Sequence, residues 1–202
     1  MINSIGEKSV KDFLELARER KTTYNFEEKQ VSEKDVAKIL EAARWAPSCT
    51  NAQPWNFIIV QDKRTIGELM STANYGDFHT DPPLIIAIVL REDLCAGEGH
   101  ACFRGKDSSV HDSYMSCGIA ASHMTLAAAN IGINSCIVTP EQGKVKKILK
   151  VKGNDVVPLL VGIGYQAKEA FQKKRERRPI EESVSYEFFG KRNGEDSIKV
   201  KR

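Results

Sequence analysis

The stretch Leu84-Ile85-Ile86-Ala87-Ile88-Val89-Leu90 contains no polar side chain. It follows Pro82-Pro83, a pair that cannot lie inside a helix, and it is much too short to span a bilayer. It is therefore expected to be a buried strand, which places a sheet inside the core of this chain. Phe57–Val60, Ser135–Val138 and Val156–Ile163 are further apolar runs rich in β-branched residues and are read as strands.

Helical patterns alternate with these runs without a strict strand-helix-strand rhythm. Ser9-Val10-Lys11-Asp12 reads as a capping box opening a helix with Val10, Phe13, Leu14 and Ala17 on one face. Ser32-Glu33-Lys34-Asp35 opens a second, with Val36, Ile39, Leu40 and Ala43 inward and Pro47 closing it. A long helix is expected over about 111–131, ended by Gly132. Its interior is small (Gly118, Ala120, Ala121, Ala127, Ala128, Ala129), which suits tight packing within the chain or against another subunit. Thr139-Pro140-Glu141-Gln142 reads as a helix start in which Thr139 caps, Pro140 takes the first position and Gln142 completes the box. The pattern is that of an α+β fold.

The 202 residues show no repeat and no clear linker, so one domain over 1–202 is expected. Within it, 91–110 reads as a loop or flap and 185–202 as a polar C-terminal tail. Net charge is only +3, too little to imply a nucleic-acid partner. The charge is uneven: Lys168 to Arg178 carries six cations and two anions, leaving the rest of the chain slightly acidic. Five cysteines, an odd count, without a CxxC pair or a leader-like run imply a soluble, cytoplasmic protein with no membrane association.

Four stretches offer chemistry. Arg18 to Thr23 sets cations beside hydroxyls at a helix end, which suits a phosphate, although cations are favoured at a helix C-terminus in any case. Ala46 to Trp55 is a proline-bracketed loop whose Asn51 and Gln53 offer paired acceptors and donors. That suits a planar heterocycle with alternating edge groups, such as the pyrimidine side of a flavin, or simply a turn. Thr139–Gln142 offers backbone N–H groups to a ring nitrogen or an anion. Lys173 to Pro179 is strongly basic. If extended, it points Arg175 and Arg177 the same way, for a phosphate or merely for solubility. Other arrangements are weaker. Cys49 has no local histidine partner to activate it; His79, His100, His111 and His123 are distant in sequence. Cys95, His100 and Cys102 fit no usual zinc spacing, so no metal is expected. Gly162-x-Gly164 lacks the third glycine and the following helix of a dinucleotide fingerprint.

Taken in order, these stretches resemble the FMN-dependent nitroreductase family. Arg20-Lys21-Thr22-Thr23-Tyr24-Asn25-Phe26 is similar to its N-terminal phosphate motif, and Ala46-Pro47-Ser48 through Asn51-Ala52-Gln53-Pro54-Trp55 to its most recognisable block. Ile131-Gly132-Ile133, Gly162-Ile163-Gly164-Tyr165 and Arg175-x-Arg177 before Pro179 fall where that family has counterparts. The resemblance covers about 12–184. It implies a central mixed, largely antiparallel sheet flanked by helices and an intertwined homodimer with FMN between subunits. It assigns Arg20, Lys21 and Thr22, with Arg175 and Arg177, to the phosphate and ribityl end. Pro47, Ser48, Cys49 and Asn51 would come from the other subunit against the ring, with Gln53 as a ligand or a brace. Thr139 would offer its N–H near flavin N5. Tyr24 stands where the family usually has a cation near the pyrimidine carbonyls. The implied activity is a ping-pong transfer of hydride from NAD(P)H to a nitro compound or similar acceptor, with a quinone, an enone or a halogenated aromatic as alternatives. A non-catalytic anion- or flavin-binding module is the other reading. No side chain is required as a nucleophile or general acid.

Overall fold

The structure, a computed structural model, describes residues 12–73, 80–94, 106–169 and 176–191, with backbone alone at 106–109. The chain divides into a large unit, Met1–Ala170, and a C-terminal one, Phe171–Arg202. The large unit runs α1 (Phe13–Glu19), α2 (Glu33–Arg44), β1 (Trp55–Val60), α3 (Lys63–Met70), β2 (Leu84–Leu90), α4 (Lys106–Asn130), β3 (Asn134–Val138), α5 (Gln142–Ile148) and β4 (Val156–Gly164). This is the α+β arrangement expected.

The four strands pair antiparallel in the order β1-β2-β4-β3. β2 is central and every one of its residues is buried. The reason is layering on both sides. Leu84, Ile86, Ile88 and Leu90 share a core with Val36, Ile39 and Ala43 of α2 and Cys117, Ala120, Ala121, Met124 and Ala128 of α4. Ile85, Ala87 and Val89 face Ile66, Leu69 and Met70 of α3 and Val145 of α5. A strand covered on both faces has no place for a polar residue, and each such Leu or Ile contributes about 1.5–3 kcal/mol by burial.

Several boundaries differ from the sequence reading for identifiable reasons. The cap of α1 is Asp12, whose carboxylate accepts from the Leu14 and Glu15 amides at 2.9 and 3.2 Å; Ser9 lies outside the described residues. Among the described residues, nothing covers the apolar face of α1: Phe13 is 69% exposed and Leu14 50%. Helix α3 was not anticipated. Asp62 caps it, with Oδ1 accepting from the Thr65 amide and hydroxyl at 2.8 and 2.6 Å. Helix α4 begins at Lys106, within the expected flap; the flap's Glu92–Leu94 form a 3-10 turn and 95–105 lie outside the described residues. α4 ends as expected at Gly132, whose φ is +77°. There the Ile133 amide donates to the Ala128 carbonyl and the Gly132 amide to that of Ala129, closing the helix end.

Gly162 and Gly164 are packing glycines. A Cβ on Gly164 would stand 2.5 Å from Pro83 Cδ, and one on Gly162 2.7 Å from Cys136 Sγ. They let the Pro82-Pro83 entry to β2 lie flat on β4, which accounts for the pair without a dinucleotide. Burial pushes the Cys136 thiol up to about 12, so it is a packing group and not a nucleophile.

In the C-terminal unit, 176–179 has no regular structure, Ile180–Ser183 forms a 3-10 turn, and the Tyr186 amide donates to the Lys191 carbonyl. Phe188 and Phe189 are exposed. Among the described residues, no helix is long and apolar enough to cross a membrane.

Candidate active site

The cationic segment leaves α1 and is sewn to the sheet. Arg20 is the last cap of α1, its amide donating to the Leu16 carbonyl at 2.9 Å. Thr22 then bridges Ser135 in parallel fashion, and the Thr23 amide donates to the Ser135 carbonyl at 3.1 Å. Thr23 is buried, and its hydroxyl donates to the Asn25 carbonyl at 3.2 Å. Beyond it the Thr80 hydroxyl accepts from the Phe26 amide at 2.6 Å, and the Glu27 amide donates to the Tyr165 carbonyl at 2.8 Å. Arg20, Lys21 and Thr22 are thus held at the start of β3. Lys21 is exposed, while Arg20, Thr22 and Tyr24 are half-buried.

At the other end of β3 stands the second element of the site. Thr139 is exposed. It does not cap α5: the N-cap is Glu141 and the helix starts at Gln142. The expected box is displaced because Pro140 is bridged to Ala73 and the Glu141 amide donates to the Thr72 carbonyl at 2.9 Å. The Gln142 side chain turns away to β4 instead of completing a cap. From Ser135 to Thr139 is roughly 13 Å at 3.3 Å per residue. One short strand therefore has the cation-and-hydroxyl segment beside its start and the exposed Thr139 at its end.

The proline-bracketed loop connects α2 to β1. Cys49–Asn51 form a 3-10 turn, and Thr50, Asn51 and Gln53 have φ of +52°, +57° and +49°. Three left-handed non-glycine residues in four positions store strain, about 1 kcal/mol or more for each. Local bonds hold them. The Ser48 hydroxyl accepts from the Gln53 amide at 3.0 Å, and Gln53 Nε2 donates to the Asn51 carbonyl at 3.2 Å. Gln53 accordingly braces the loop. Pro47, Asn51 and Gln53 are exposed, while Ser48 and Cys49 are half-buried. Trp55 is buried at the loop's end and stacks on Phe57, with centroids 6.2 Å apart.

A neighbouring arrangement had no signal in the motif reading. Trp45, 71% exposed, donates its indole N–H to Glu41 at 2.8 Å, and Arg44 makes a two-pronged contact with the same carboxylate. The bonds from Arg44 and Trp45 hold Glu41 down at about 2. Only the i, i+3 and i, i+4 spacing on a helix could have announced it.

Of the remaining candidates, Arg177 is exposed in the C-terminal unit and Arg175 lies outside the described residues. His123 has Nδ1 3.1 Å from the Ala42 carbonyl, linking α4 to α2. Cys95, His100, Cys102 and His79 also lie outside the described residues.

The arrangement is an α+β layer structure with a cation-and-hydroxyl segment beside one end of β3 and a strained amide loop before β1. Residues 17–165 match the model described as Nitroreductase family. A protein of Archaeoglobus fulgidus, provisionally named NADH dehydrogenase/NAD(P)H nitroreductase, is 30% identical over 79% of this chain and 88% of its own length. The crystal structure of a nitroreductase family protein from Clostridium difficile 630 superposes with a TM-score of 0.75 at 28% identity, covering 88% of this chain and 99% of that one. An FMN-dependent nitroreductase of Clostridium difficile R20291 shares the fold, with a TM-score of 0.70 at 22% identity over 88% and 100% of the two chains. The chain belongs to the nitroreductase family.

The donor set fits FMN in kind. Cations and a hydroxyl at one end of β3 suit the phosphate and ribityl chain. The exposed Asn51 and Gln53 amides of the loop suit the polar edge of the ring.

Proposed function

We propose that this chain is an FMN-dependent oxidoreductase that passes hydride from NAD(P)H to a small electron-poor acceptor such as a nitro compound, working as a homodimer in the cytoplasm. The observation that carries the reading is β3, with Thr22 and Thr23, which follow Arg20-Lys21, bonded to Ser135 near its start and the Thr139 turn at its end. Bound FMN supplies the redox chemistry, taking up and giving on the hydride. In this reading Arg20 and Lys21 neutralise the phosphate and Thr22 bonds the ribityl end. The family resemblance also assigns Arg175 and Arg177 to a phosphate. Tyr24 faces the pyrimidine carbonyls as a neutral donor. Pro47, Ser48, Cys49 and Asn51 of a second copy cover the ring while Gln53 keeps their loop in its strained shape. Thr139 offers its N–H to N5.

The need for a second copy is supported by apolar side chains left uncovered. Beside Phe13 and Leu14, α4 exposes Val110, Tyr114, Met115 and Ile119, 37–58% accessible. They follow helical spacing around Gly118, where an added Cβ meets nothing within 4 Å. Such a face on a soluble protein marks an interaction site.

The test is steady-state oxidation of NADH and of NADPH by purified, FMN-loaded protein with a nitroaromatic acceptor, together with sedimentation. A dimer with acceptor-dependent turnover supports the reading. A monomer that retains no flavin contradicts it, and a dimer that holds flavin but never turns over favours a flavin-holding module.

A further inference from the structure

The turn that follows β3 is held by a side chain to which no role has been assigned. Gln142 Oε1 accepts from the Val157 amide at 2.9 Å, and Gln142 Nε2 donates to the Val157 carbonyl at 2.7 Å. The same Nε2 lies 3.4 Å from the Pro140 carbonyl. A primary carboxamide has the acceptor and the donor needed to satisfy both polar groups of one residue.

The reason these groups need a side chain lies in the register. β3 and β4 pair from Asn134↔Gly164 to Val138↔Leu160. Continued, that ladder would bring residue 141 opposite Val157. The chain instead leaves the sheet at Thr139 to enter α5, and Pro158 next to Val157 has no N–H to offer a ladder. The Gln142 carboxamide takes the place of the missing strand. On the far side, the turn is fixed by the Glu141 amide on Thr72 and by the Pro140–Ala73 bridge. Thr139 is suspended between two anchors, and one of them is Gln142.

We propose that Gln142 is a positioning residue of the reaction: its carboxamide, seated on both polar groups of Val157, fixes where β3 ends and hence where the Thr139 backbone meets the cofactor. This rests on the reading of Thr139 given above. A donor near the ring bonds the oxidised and reduced cofactor unequally, so moving it changes their relative affinities and not only the fold's stability.

The experiment compares wild type, Gln142→Met and Val145→Ala, each loaded with FMN. Val145 is fully buried on the same helix, in the cluster that also holds Val157, so its truncation lowers stability and loosens packing there while keeping the carboxamide and both polar groups of Val157. Gln142→Met is expected to change the ratio of affinities for reduced and oxidised FMN about tenfold, which is about 30 mV in midpoint potential for a two-electron couple. Flavin reduction by NAD(P)H should slow by a similar factor, and Val145→Ala should lower Tm with the potential unchanged. In the cofactor-free proteins, the Val157 amide should exchange with solvent about tenfold faster in Gln142→Met. If Gln142→Met folds poorly, Gln142→Glu keeps the acceptor toward the Val157 amide but sets a carboxylate against its carbonyl, and the same shift is expected. A wild type that binds FMN beside a Gln142 variant of unchanged potential overturns this proposal alone, as does an equal shift in Val145→Ala. A wild type that takes up no FMN overturns the parent reading and this proposal with it.

Discussion

The Thr23 amide donates to the Ser135 carbonyl at 3.1 Å, tying the cationic end of α1 to the strand that leads to Thr139. The bond joins residues far apart in sequence and sets the spacing between the two ends of the site.

Tyr24 is a half-buried phenol in the segment so anchored. If it faces the pyrimidine side of the ring, a cation in its place stabilises the negative charge of the reduced ring. Tyr24→Lys is therefore expected to raise the midpoint potential of bound FMN, read by potentiometric titration. An unchanged or lower value removes Tyr24 from the ring's surroundings.

Thr50 is β-branched and sits at φ +52°. Glycine adopts that region freely, so Thr50→Gly should raise unfolding stability by about 1 kcal/mol, part of the relief being offset by chain entropy. FMN affinity should fall, because the loop no longer holds its shape before the ligand arrives. Urea unfolding and flavin titration check the two halves; a loss of stability contradicts the strain argument.

Gly164→Ala places a methyl 2.5 Å from Pro83 Cδ and 2.9 Å from Phe26 Cδ1. The Pro83 ring is tied to its own backbone and Phe26 is buried, so a loss of about 1–3 kcal/mol is expected by overpacking. Phe26 belongs to the segment that carries Arg20 and Thr22, so FMN affinity should drop as well. Chemical denaturation at unchanged stability would show that the strands separate easily there.

Glu41 is held at about 2 against an ordinary 4.5, first by Arg44 and then by Trp45. Because the folded value is depressed, the contribution to stability is complete above about 4.5 and is lost as pH falls toward 2. The group is fully exposed, so the effect is on local order. The Trp45 indole N–H resonance should move over that acid window and not near neutrality. In Arg44→Gln the Glu41 transition should shift upward; an unshifted transition excludes the contact.

Legibility in the sequence depended on whether the deciding contact was local. β2 could be read because burial on both faces demands an apolar residue at every position. The core face of α2 could be read from its periodicity, as Ile39 and Ala43 show. The stripe on α1 was equally visible, but a stripe does not say whose surface covers it, and Phe13 and Leu14 face away from this chain's core. Helix α3 escaped because Gly67 interrupts a short pattern that offers few apolar residues. The box at Thr139 had the right residue types, yet its offset is decided by Ala73, Thr72 and Val157, all remote. The amide loop was legible as a motif. Its left-handed residues were not, since no glycine marks them.

Direct titration of FMN into cofactor-free wild type and Arg20→Ala/Lys21→Ala, followed by flavin fluorescence at low and at physiological salt, bears most directly on the account. Charged hydrogen bonds to a phosphate contribute about 1.5–3 kcal/mol each. The double variant should therefore bind at least a hundredfold more weakly, and its affinity should depend less on salt. Equal affinity of the two proteins, or a wild type that binds no FMN, would contradict the claim that the end of α1 grips the phosphate.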